Sequence, residues 1–318
     1  MGMIGLDKIR EAAEEINGVV HRTPVLTSSR LNGQTGNEIF LKGEHLQKTG
    51  SFKIRGASNK VLKAVREGGR HVVAASSGNH GQAVAYIAGK SGIETTIVVP
   101  EDASPAKVAA IESYGGRAVR CGLTSAERIT EALRIAGKTG GVFIPPYDDP
   151  DIIAGQGTAG MEIWSQIPDC EAVVVPVGGG GLAAGIICAV KQLKPDIFVI
   201  GVEPETADDT RLSLNEGRRI AIGPTLTIAD GLRTSIPGEV TFPILRDHLD
   251  RLVTVSDDEI KEACRFLFQY AKQVVEPSGA VSVAALLSGR AGIRGKKVAA
   301  VLSGGNVSAK AFAEMLEV

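Results

Sequence analysis

The stretch that decides the fold begins at residue 48 and reads Lys48-Thr49-Gly50-Ser51-Phe52-Lys53-Ile54-Arg55-Gly56. Its second lysine, Lys53, stands between the aromatic Phe52 and the apolar Ile54. Such neighbours would remove water from the amine, which disfavours the charged form and lowers the pKa. A lysine with an accessible neutral amine can form a Schiff base with a carbonyl compound. Lys53 is therefore a candidate catalytic residue, although an arbitrary lysine at a helix start more often faces solvent.

Charge and composition exclude several classes of protein. The chain has 318 residues, enough for two domains, and its net charge of −1 gives no sign of a nucleic-acid or anionic-membrane partner. With 43% apolar and 22% charged residues it has the composition of a soluble globular protein, and no apolar run is long enough to cross a bilayer. The four cysteines are widely spaced without a CxxC pair, which is typical of reduced thiols in a cytoplasmic protein.

Short apolar segments alternate with helical patterns along most of the chain, which predicts a parallel, doubly wound α/β fold. Strands are predicted at residues 38–42, 71–75, 95–100, 117–121, 142–145, 172–177, 197–202 and 297–302. Ser104-Pro105 and Ser256 have the residue types that begin helices. We expect the helix from Ser256 to reach about Val274, and residues 155–158 to precede a helix that contains Trp164.

The order of these elements indicates two open α/β domains. The smaller domain is predicted at residues 70–146, and it is inserted into a larger domain built from residues 1–69 and 147–318. Ligands of open α/β sheets bind beyond the carboxyl ends of the strands. The loops at those ends should therefore carry the chemistry.

A run of four glycines links a predicted strand to a predicted helix. These residues are Gly178, Gly179, Gly180 and Gly181. Without Cβ atoms, their backbone N–H groups can approach an anion closely, and the dipole of the following helix favours a phosphate. The run therefore predicts a phosphate-binding loop.

The same loop supports a second hypothesis. Gly178, Gly180 and Ala183 match the dinucleotide pattern G-x-G-x-x-A. Glu203 follows about 20 residues later, where a dinucleotide-binding fold places an acidic residue on the ribose. A nicotinamide-dependent oxidoreductase is therefore an alternative, although it leaves Lys53 without a role.

Another loop, at residues 76–81, reads Ser76-Ser77-Gly78-Asn79-His80-Gly81. Small hydroxyl side chains, glycines and a helix N-terminus form an anion cradle that suits the carboxylate of a free amino acid. The alternative interpretation is a plain helix cap at Ser77 or Asn79. His80 fits a loop or capping residue better than a general base.

Together these motifs resemble the fold-type II pyridoxal-phosphate (PLP) enzymes, and within them the branch of threonine dehydratases and serine racemases. The motifs are the lysine stretch, the loops at 76–81 and 178–181, the loop Ser303-Gly304-Gly305-Asn306, and the segments 145–150, 153–157, 230–233 and 275–279. The resemblance spans nearly the whole chain. It implies two open, doubly wound domains arranged as in the β subunit of tryptophan synthase.

The resemblance also implies residue roles. The residues implied to bind PLP are Phe52, Lys53, Asn79, Gly178, Gly179, Gly180, Gly181 and Ser303. Those implied to bind the substrate carboxylate are Ser76, Ser77, Asn79 and His80. In the family the lysine carries PLP and acts as general base, the asparagine meets the ring 3-hydroxyl and the serine meets the pyridine nitrogen. The position of Ser77 is the opposite acid–base group in racemases, so both residues are candidate catalytic residues.

The implied reaction is β-elimination of a β-hydroxy amino acid, L-threonine or L-serine, to a 2-oxo acid and ammonia. The chain would then be a threonine/serine ammonia-lyase, a dehydratase. A serine or aspartate racemase and a 3-hydroxyaspartate dehydratase share this site and are alternatives. A non-catalytic protein that binds PLP or an amino acid is a further alternative, against which intact Lys53, Ser77 and Ser303 argue.

An acidic segment follows the strand at 197–202. Glu203, Asp209 and the carbonyl of Ala207 offer the hard oxygen ligands that Mg²⁺ or Ca²⁺ prefers, and their spacing resembles the cation site of metal-activated members. Acidic runs are otherwise solvated surface. We expect Mg²⁺, or Ca²⁺ or Mn²⁺ in its place, near the cofactor phosphate. The resemblance also implies a homodimer and, since the chain ends soon after residue 306, no C-terminal regulatory domain.

Overall fold

The computed structural model describes residues 2–317, which fold into two β-sheets with helices on their faces. The strands are β1 (Val25–Thr27), β2 (Glu38–Lys42), β3 (His71–Ala75), β4 (Glu94–Val99), β5 (Arg117–Arg120), β6 (Val142–Phe143), β7 (Ala172–Pro176), β8 (Phe198–Pro204), β9 (Arg251–Val255) and β10 (Lys297–Val301). The helices are α1 (Leu6–Glu15), α2 (Ser29–Thr35), α3 (Lys53–Arg66), α4 (Asn79–Lys90), α5 (Pro105–Ser113), α6 (Ser125–Thr139), α7 (Pro150–Gln166), α8 (Gly181–Leu193), α9 (Asp209–Glu216), α10 (Thr241–His248), α11 (Asp257–Phe266), α12 (Pro277–Leu287) and α13 (Ala309–Leu316). None of these described helices is both long and apolar enough to cross a membrane.

The two sheets draw on different parts of the chain. One has the strand order β1-β2-β10-β7-β8-β9 and the other the order β5-β4-β3-β6. Neighbouring strands are parallel except for the short edge strand β1, which pairs with β2 in antiparallel fashion and which the sequence analysis does not predict. Strand β10 pairs with both β2 and β7, so both ends of the chain build the larger sheet. The predicted α/β fold with two open sheets is confirmed, while the domain boundaries at residues 70 and 146 stay a prediction.

Residues 155–158 lie inside α7, so the prediction that they precede this helix is wrong. The helix begins earlier, at Pro150, because the Asp149 side chain caps its N-terminus. The glycines of this segment allow close packing between helices. A Cβ atom on Gly155 would lie only 2.6 Å from the Cα atom of Gly56 in α3. The pattern therefore reflects a contact between α7 and α3, which local sequence does not reveal.

One other boundary, the end of the helix that begins after Ser256, differs from its prediction. The capping box at Ser256 begins α11 as predicted, but the helix ends at Phe266 and continues as a single π-helical turn, Leu267–Ala271. The chain then leaves the helix at Lys272, which has a left-handed φ of 58°. The expected helix end near Val274 is therefore wrong.

A buried group of charged side chains ties α3 to its neighbours. Arg55 is 0% exposed and donates to Glu44 through Nε (2.8 Å) and to Glu162 in α7 through Nη1 (2.7 Å). Lys42, at the end of β2, donates to the same Glu162 (2.5 Å). Removing one partner of a buried ion pair is strongly destabilising, because the remaining charge stays buried without compensation. These pairs therefore fix the first turn of α3, where Lys53 lies.

Candidate active site

The lysine stretch and the loop after β10 lie side by side at the carboxyl ends of β2 and β10. Ser51 and Gly304 form an antiparallel bridge. The backbone N–H of Phe52 donates a hydrogen bond to the carbonyl of Ser303 (3.1 Å). Two predicted site loops that are about 250 residues apart in the chain are thus joined through their backbones, directly before α3.

Lys53 is the first residue of α3 and is half-buried. Its Nζ donates to the carbonyl of Pro146 (2.7 Å) and lies 5.2 Å from the centroid of the Phe52 ring. Burial lowers the pKa of Lys53 to about 8. The lowered pKa that the sequence predicts is therefore confirmed. A lysine with this pKa has a sizeable neutral fraction near neutral pH, as a nucleophile or a general base requires.

The loop between β3 and α4 carries the predicted carboxylate-binding residues. Gly78 occupies the N-cap position of α4 without a side-chain cap, so the interpretation of Ser77 or Asn79 as a plain helix cap is wrong. The Ser76 hydroxyl accepts a hydrogen bond from the N–H of Gly78 (3.2 Å), and Ser77 is half-buried between them. The first-turn N–H groups of a helix lack intrahelical partners. The loop therefore retains the chemistry of an anion site.

His80 is buried in the first turn of α4 and does not act as a loop or capping residue. It is 3% exposed, and its Nε2 lies 2.9 Å from the carbonyl of Ile144. Burial, with the positive charge of Lys53 as a second cause, lowers the pKa of His80 to about 3. The imidazole is thus neutral at physiological pH and donates from Nε2. Its backbone N–H, not its side chain, belongs to the anion-binding turn.

Asn79 joins three segments of the chain. Its Nδ2 donates to Oε1 of Glu276 (2.7 Å), and its Oδ1 accepts from Nδ2 of Asn306 (2.8 Å). The same Asn306 nitrogen also donates to the carbonyl of Thr49 in the lysine stretch (2.7 Å). The loop at 76–81, the loop after β10 and the lysine stretch therefore meet at this side chain.

The glycine loop has the geometry of a phosphate cradle. Gly178 is half-buried, Gly179 and Gly180 are buried, and Gly181 is the first residue of α8. Gly180 has a φ of 88°, which favours glycine. Because the loop leads into the 13-residue helix α8, its N–H groups stand at a helix N-terminus, where a phosphate is stabilised.

The segment after β6 holds the glycine loop and the lysine together. A Cβ atom on Gly179 would lie 2.4 Å from the ring of Tyr147, so glycine alone fits there. Asp148 accepts hydrogen bonds from backbone N–H groups at the start of α10. From that helix, the Thr241 hydroxyl donates to the carbonyl of Gly179 (2.7 Å). Because Lys53 binds the carbonyl just before Tyr147, this segment spans the site between amine and cradle.

Ser303 lies at the carboxyl end of β10. It is 3% exposed, and its hydroxyl donates to the carbonyl of Ser278 in the first turn of α12 (3.4 Å). The Ser278 hydroxyl in turn accepts from the N–H of Gly231 (2.9 Å). Two segments named for their resemblance, 230–233 and 275–279, thus pack around Ser303.

The three predicted metal ligands in the acidic segment at 203–209 are buried. The interpretation of this segment as solvated surface is therefore wrong at these three positions. Glu203, Ala207 and Asp209 are each 0% exposed. Burial, and for Glu203 also the charge of Asp209, raises the pKa of Glu203 to about 8 and that of Asp209 to about 6. Asp209 accepts from the Thr234 hydroxyl through Oδ1 (3.0 Å), while its buried Oδ2 has no partner among the described residues.

This unpartnered oxygen fits a cation ligand, since two buried carboxyl groups and a carbonyl form a hard-oxygen donor set. Within residues 2–317, no group of three or more His, Cys, Asp or Glu side chains is arranged to hold a metal. A cation here would therefore need the Ala207 carbonyl and water. Burial, and then the charges of Asp148 and Asp209, raise the pKa of Tyr147, the residue that covers Gly179.

The dinucleotide interpretation of the glycine loop does not fit this geometry. A ribose would need the free carboxylate of Glu203 at the end of its strand. Instead Glu203 lies within β8, and its two oxygens accept from the backbone N–H groups of Thr210 and Arg211 (3.1 and 2.9 Å). The nicotinamide-dependent alternative is therefore wrong.

Sequence reasoning gives no role to several residues that the structure places in the site. Tyr147, Thr241, Glu276 and Asn306 all contact a predicted site residue. Tyr147 and Glu276 lie in segments 145–150 and 275–279, and Asn306 lies in the loop at 303–306. The sequence marks all three segments only by their resemblance. Their contacts join positions far apart in the chain, so no local pattern or spacing reveals them.

Comparisons with known proteins agree with this geometry. A family model described as "Pyridoxal-phosphate dependent enzyme" matches residues 16–304. An L-threonine ammonia-lyase of Thermotoga maritima is 47% identical over 96% of this chain and 76% of its own length. An L-threo-3-hydroxyaspartate ammonia-lyase of Saccharomyces cerevisiae is 42% identical over 97% of this chain and 95% of its own length. The structure of maize serine racemase superposes with a TM-score of 0.93 at 38% identity, covering 98% and 96% of the two chains.

We expect Lys53 of the cofactor-free protein to be acylated at lower pH than the other lysines. Because burial lowers the pKa of its amine to about 8, its neutral form should be half-populated at that pH, whereas ordinary lysines reach this point at about pH 10.4. Competitive labelling with trace acetic anhydride, followed by peptide mass spectrometry, measures this. The lysines on exposed helix surfaces serve as internal controls, and a Lys53 curve coincident with theirs would contradict the account.

Proposed function

Since the chain belongs to the family of pyridoxal-phosphate-dependent enzymes, we propose that it is an ammonia-lyase that acts on L-threonine or L-serine. It would remove the β-hydroxyl group and release a 2-oxo acid and ammonia. The observation that carries the proposal is the amine of Lys53, whose pKa burial lowers to about 8 beside an anion-binding loop. The name of the relative from Thermotoga maritima, L-threonine ammonia-lyase, supports the choice of substrate.

The residues present fit both ends of PLP, its aldehyde and its phosphate. Lys53 would hold its aldehyde carbon, and the N–H groups of residues 178–181 would hold its phosphate. Phe52, Asn79 and Ser303 would contact the ring. The fit rests on a cradle that a Cβ atom would fill at Gly179 and on an amine whose pKa is lowered by burial. When bound, PLP supplies an electron sink that allows the Cα–H bond of the amino acid to break.

The residues of this chain bind the substrate and move its proton. The first-turn N–H groups of α4, with the hydroxyls of Ser76 and Ser77, bind the substrate carboxylate. Lys53 accepts the Cα proton at Nζ, and a general base is most effective when its pKa lies near the working pH. The β-hydroxyl leaves as water with the proton that Lys53 has taken from Cα. One water molecule then hydrolyses the remaining C=N bond, so that the nitrogen leaves as ammonia. The amino acid is thereby converted to a 2-oxo acid without net consumption of water.

Racemisation is a second candidate, and Ser77 favours it. Inversion at Cα needs a proton donor on the face opposite the base, and Ser77 has a hydroxyl at the position that the resemblance assigns to this role. The similarity to maize serine racemase supports this candidate. The relative from Saccharomyces cerevisiae adds 3-hydroxyaspartate as a third substrate to be tested.

We also propose that Glu203, Ala207 and Asp209 hold one Mg²⁺, with Ca²⁺ or Mn²⁺ as substitutes. The buried, unpartnered Oδ2 of Asp209 supports this, because a cation would satisfy it. Among the described residues, Glu203 and Asp209 bond to Thr210, Arg211 and Thr234, none of which belongs to the lysine stretch. The ion would therefore be structural or activating and would not act on the reacting carbon. It would stabilise the folded protein by mass action.

A homodimer in the cytoplasm is the assembly that we propose. Four large apolar side chains are between 41% and 46% exposed, and a second copy would bury them. They are Leu46, Phe268, Tyr270 and Val274. All four cysteines are free thiols, as in a reducing compartment.

We also propose that residues 70–146 form the smaller domain, because β3, β4, β5 and β6 make a separate sheet.

The proposed reaction is tested by a substrate panel. Purified protein with PLP should release 2-oxo acid and ammonia from L-threonine or L-serine, and Lys53→Ala should lower this rate by about 10²–10⁴-fold because the base is lost. The panel contains both enantiomers of threonine and serine and the 3-hydroxyaspartate isomers, with chiral analysis of the remaining substrate. Lys310→Ala, on the surface of α13, is the control. If no substrate yields a 2-oxo acid and none changes configuration, the proposal fails.

Ser77→Ala separates elimination from racemisation. It should abolish inversion at Cα, since no acid–base group would remain opposite Lys53, while elimination should survive because it uses the lysine face. Chiral chromatography of residual serine, together with 2-oxo acid release, measures both activities. Ser113→Ala, an exposed serine in α5, is the matched control. A Ser77→Ala protein that racemises as fast as wild type would rule out Ser77 as the second acid–base group.

Asp209→Ala tests the metal site. Wild type should lose thermal stability and activity when EDTA removes the ion, because a ligand that binds only the folded state stabilises it. Asp209→Ala should lose this sensitivity to EDTA. Asp208→Ala is the matched control, since Asp208 pairs with Arg211 and should leave the EDTA effect intact. If EDTA changes neither the melting temperature nor the activity of wild type, the metal proposal is wrong.

A further inference from the structure

Glu276 has a buried carboxyl group, and the stability of the fold alone does not explain why it is there. It is 5% exposed, at the N-cap position of α12. Burial, and then the charge of Asp230, raises the pKa of Glu276 to about 8, while the charge of Lys107 acts in the opposite direction. Its side-chain partner is the neutral amide of Asn79, and the backbone N–H of Asn306 also bonds to it. Burial of a carboxyl group without a bonded cation costs free energy, so its retention suggests a role in the site.

The loop after β10 is shaped around this carboxyl group. A Cβ atom on Gly304 would lie 2.0 Å from Oε1 of Glu276, so a larger residue there would displace it. The backbone N–H of Glu276 donates to the carbonyl of Gly304 (3.1 Å). The carboxyl group is thus held beside the loop that contains Ser303, with its oxygen directed at Asn79.

A chain of hydrogen bonds fixes which way the Asn79 amide points. The carbonyl of Thr49 can only accept, so it requires the nitrogen of the Asn306 amide (2.7 Å). The second N–H of that nitrogen is directed at Oδ1 of Asn79 (2.8 Å). Glu276 accepts from Nδ2 on the other side (2.7 Å). If the Asn79 amide were rotated by 180°, its oxygen would face Oε1 of Glu276 and its nitrogen would face Nδ2 of Asn306. Both contacts would be unfavourable.

We propose that Glu276 is a positioning residue that, together with Asn306, locks the Asn79 amide so that its second N–H is left for an oxygen acceptor on the cofactor ring. This inference rests on the proposed function, because it takes PLP as the ligand of Asn79. An amide nitrogen has two N–H groups, and Glu276 uses one of them. Thr49, in the lysine stretch, starts the chain of bonds, so the amide is aligned with the loop that carries Lys53.

The test uses the holoenzyme and two measurements other than activity. These are the wavelength of the visible band of bound PLP, which reports on hydrogen bonding to the ring oxygen, and the dissociation constant of PLP from serial dilution. Glu276→Ala should shift the band and weaken PLP binding by about two- to tenfold, the size expected for the loss of one hydrogen bond. Glu276→Gln should restore both, because its side-chain carbonyl can still accept from Asn79. Glu259→Gln, in the capping box of α11, is the control and should change neither.

Asn79→Ala separates positioning from general support of the fold. In that background Glu276→Ala should have no further effect on band or affinity, because the amide it orients is gone. Asn306→Ala should mimic Glu276→Ala if the latter does not fold. A Glu276→Ala effect of equal size in both backgrounds, or a wild-type band and affinity in Glu276→Ala, overturns the inference. Failure of wild type to bind PLP would instead overturn the proposed function.

Discussion

The buried ion pairs of Arg55 are the constraint on which the site depends. Arg55 lies two residues after Lys53 and is 0% exposed, so its charge must be matched in the interior. Glu44 and Glu162 provide that match from two other segments. Because an unmatched charge would be strongly destabilising, the first turn of α3 has one stable position relative to α7 and the strand end at Lys42. The turn that carries Lys53 is therefore held by buried ion pairs to two other segments.

From this anchor the topology brings the chemistry together. Parallel strands place their following loops at one edge of a sheet, so the loop of Ser303 meets the lysine stretch by backbone pairing. The segment around Tyr147 connects that edge to the glycine loop, and Asn79 connects it to the smaller sheet. Enclosure by these loops removes water from Lys53 and lowers its pKa to about 8. The packing of the site is thus the cause of its reactivity.

The sequence predicts what depends on local chemistry and misses what depends on contacts between distant residues. The helix starts at Ser104 and Ser256 are confirmed, because caps act within a few residues. Gly155 is wrongly placed before the helix because the reason for a glycine there is its close contact with Gly56, about 100 positions away in the chain. Glu276 lies in segment 275–279, which the sequence marks only by its resemblance, and no local pattern predicts its bond to Asn79. The roles of the predicted PLP and carboxylate residues stay predictions, although the structure brings Lys53 and the loops together.

The central claim is that Lys53 is the residue that holds PLP. The most direct measurement is reduction of the purified protein with borohydride, followed by proteolysis and mass spectrometry of the labelled peptide, with Lys53→Ala treated in parallel. The account predicts a single pyridoxyl group on the peptide containing Lys53, and none in the variant. Stable labelling of a different lysine, or a wild-type protein saturated with PLP that acquires no label, would contradict it.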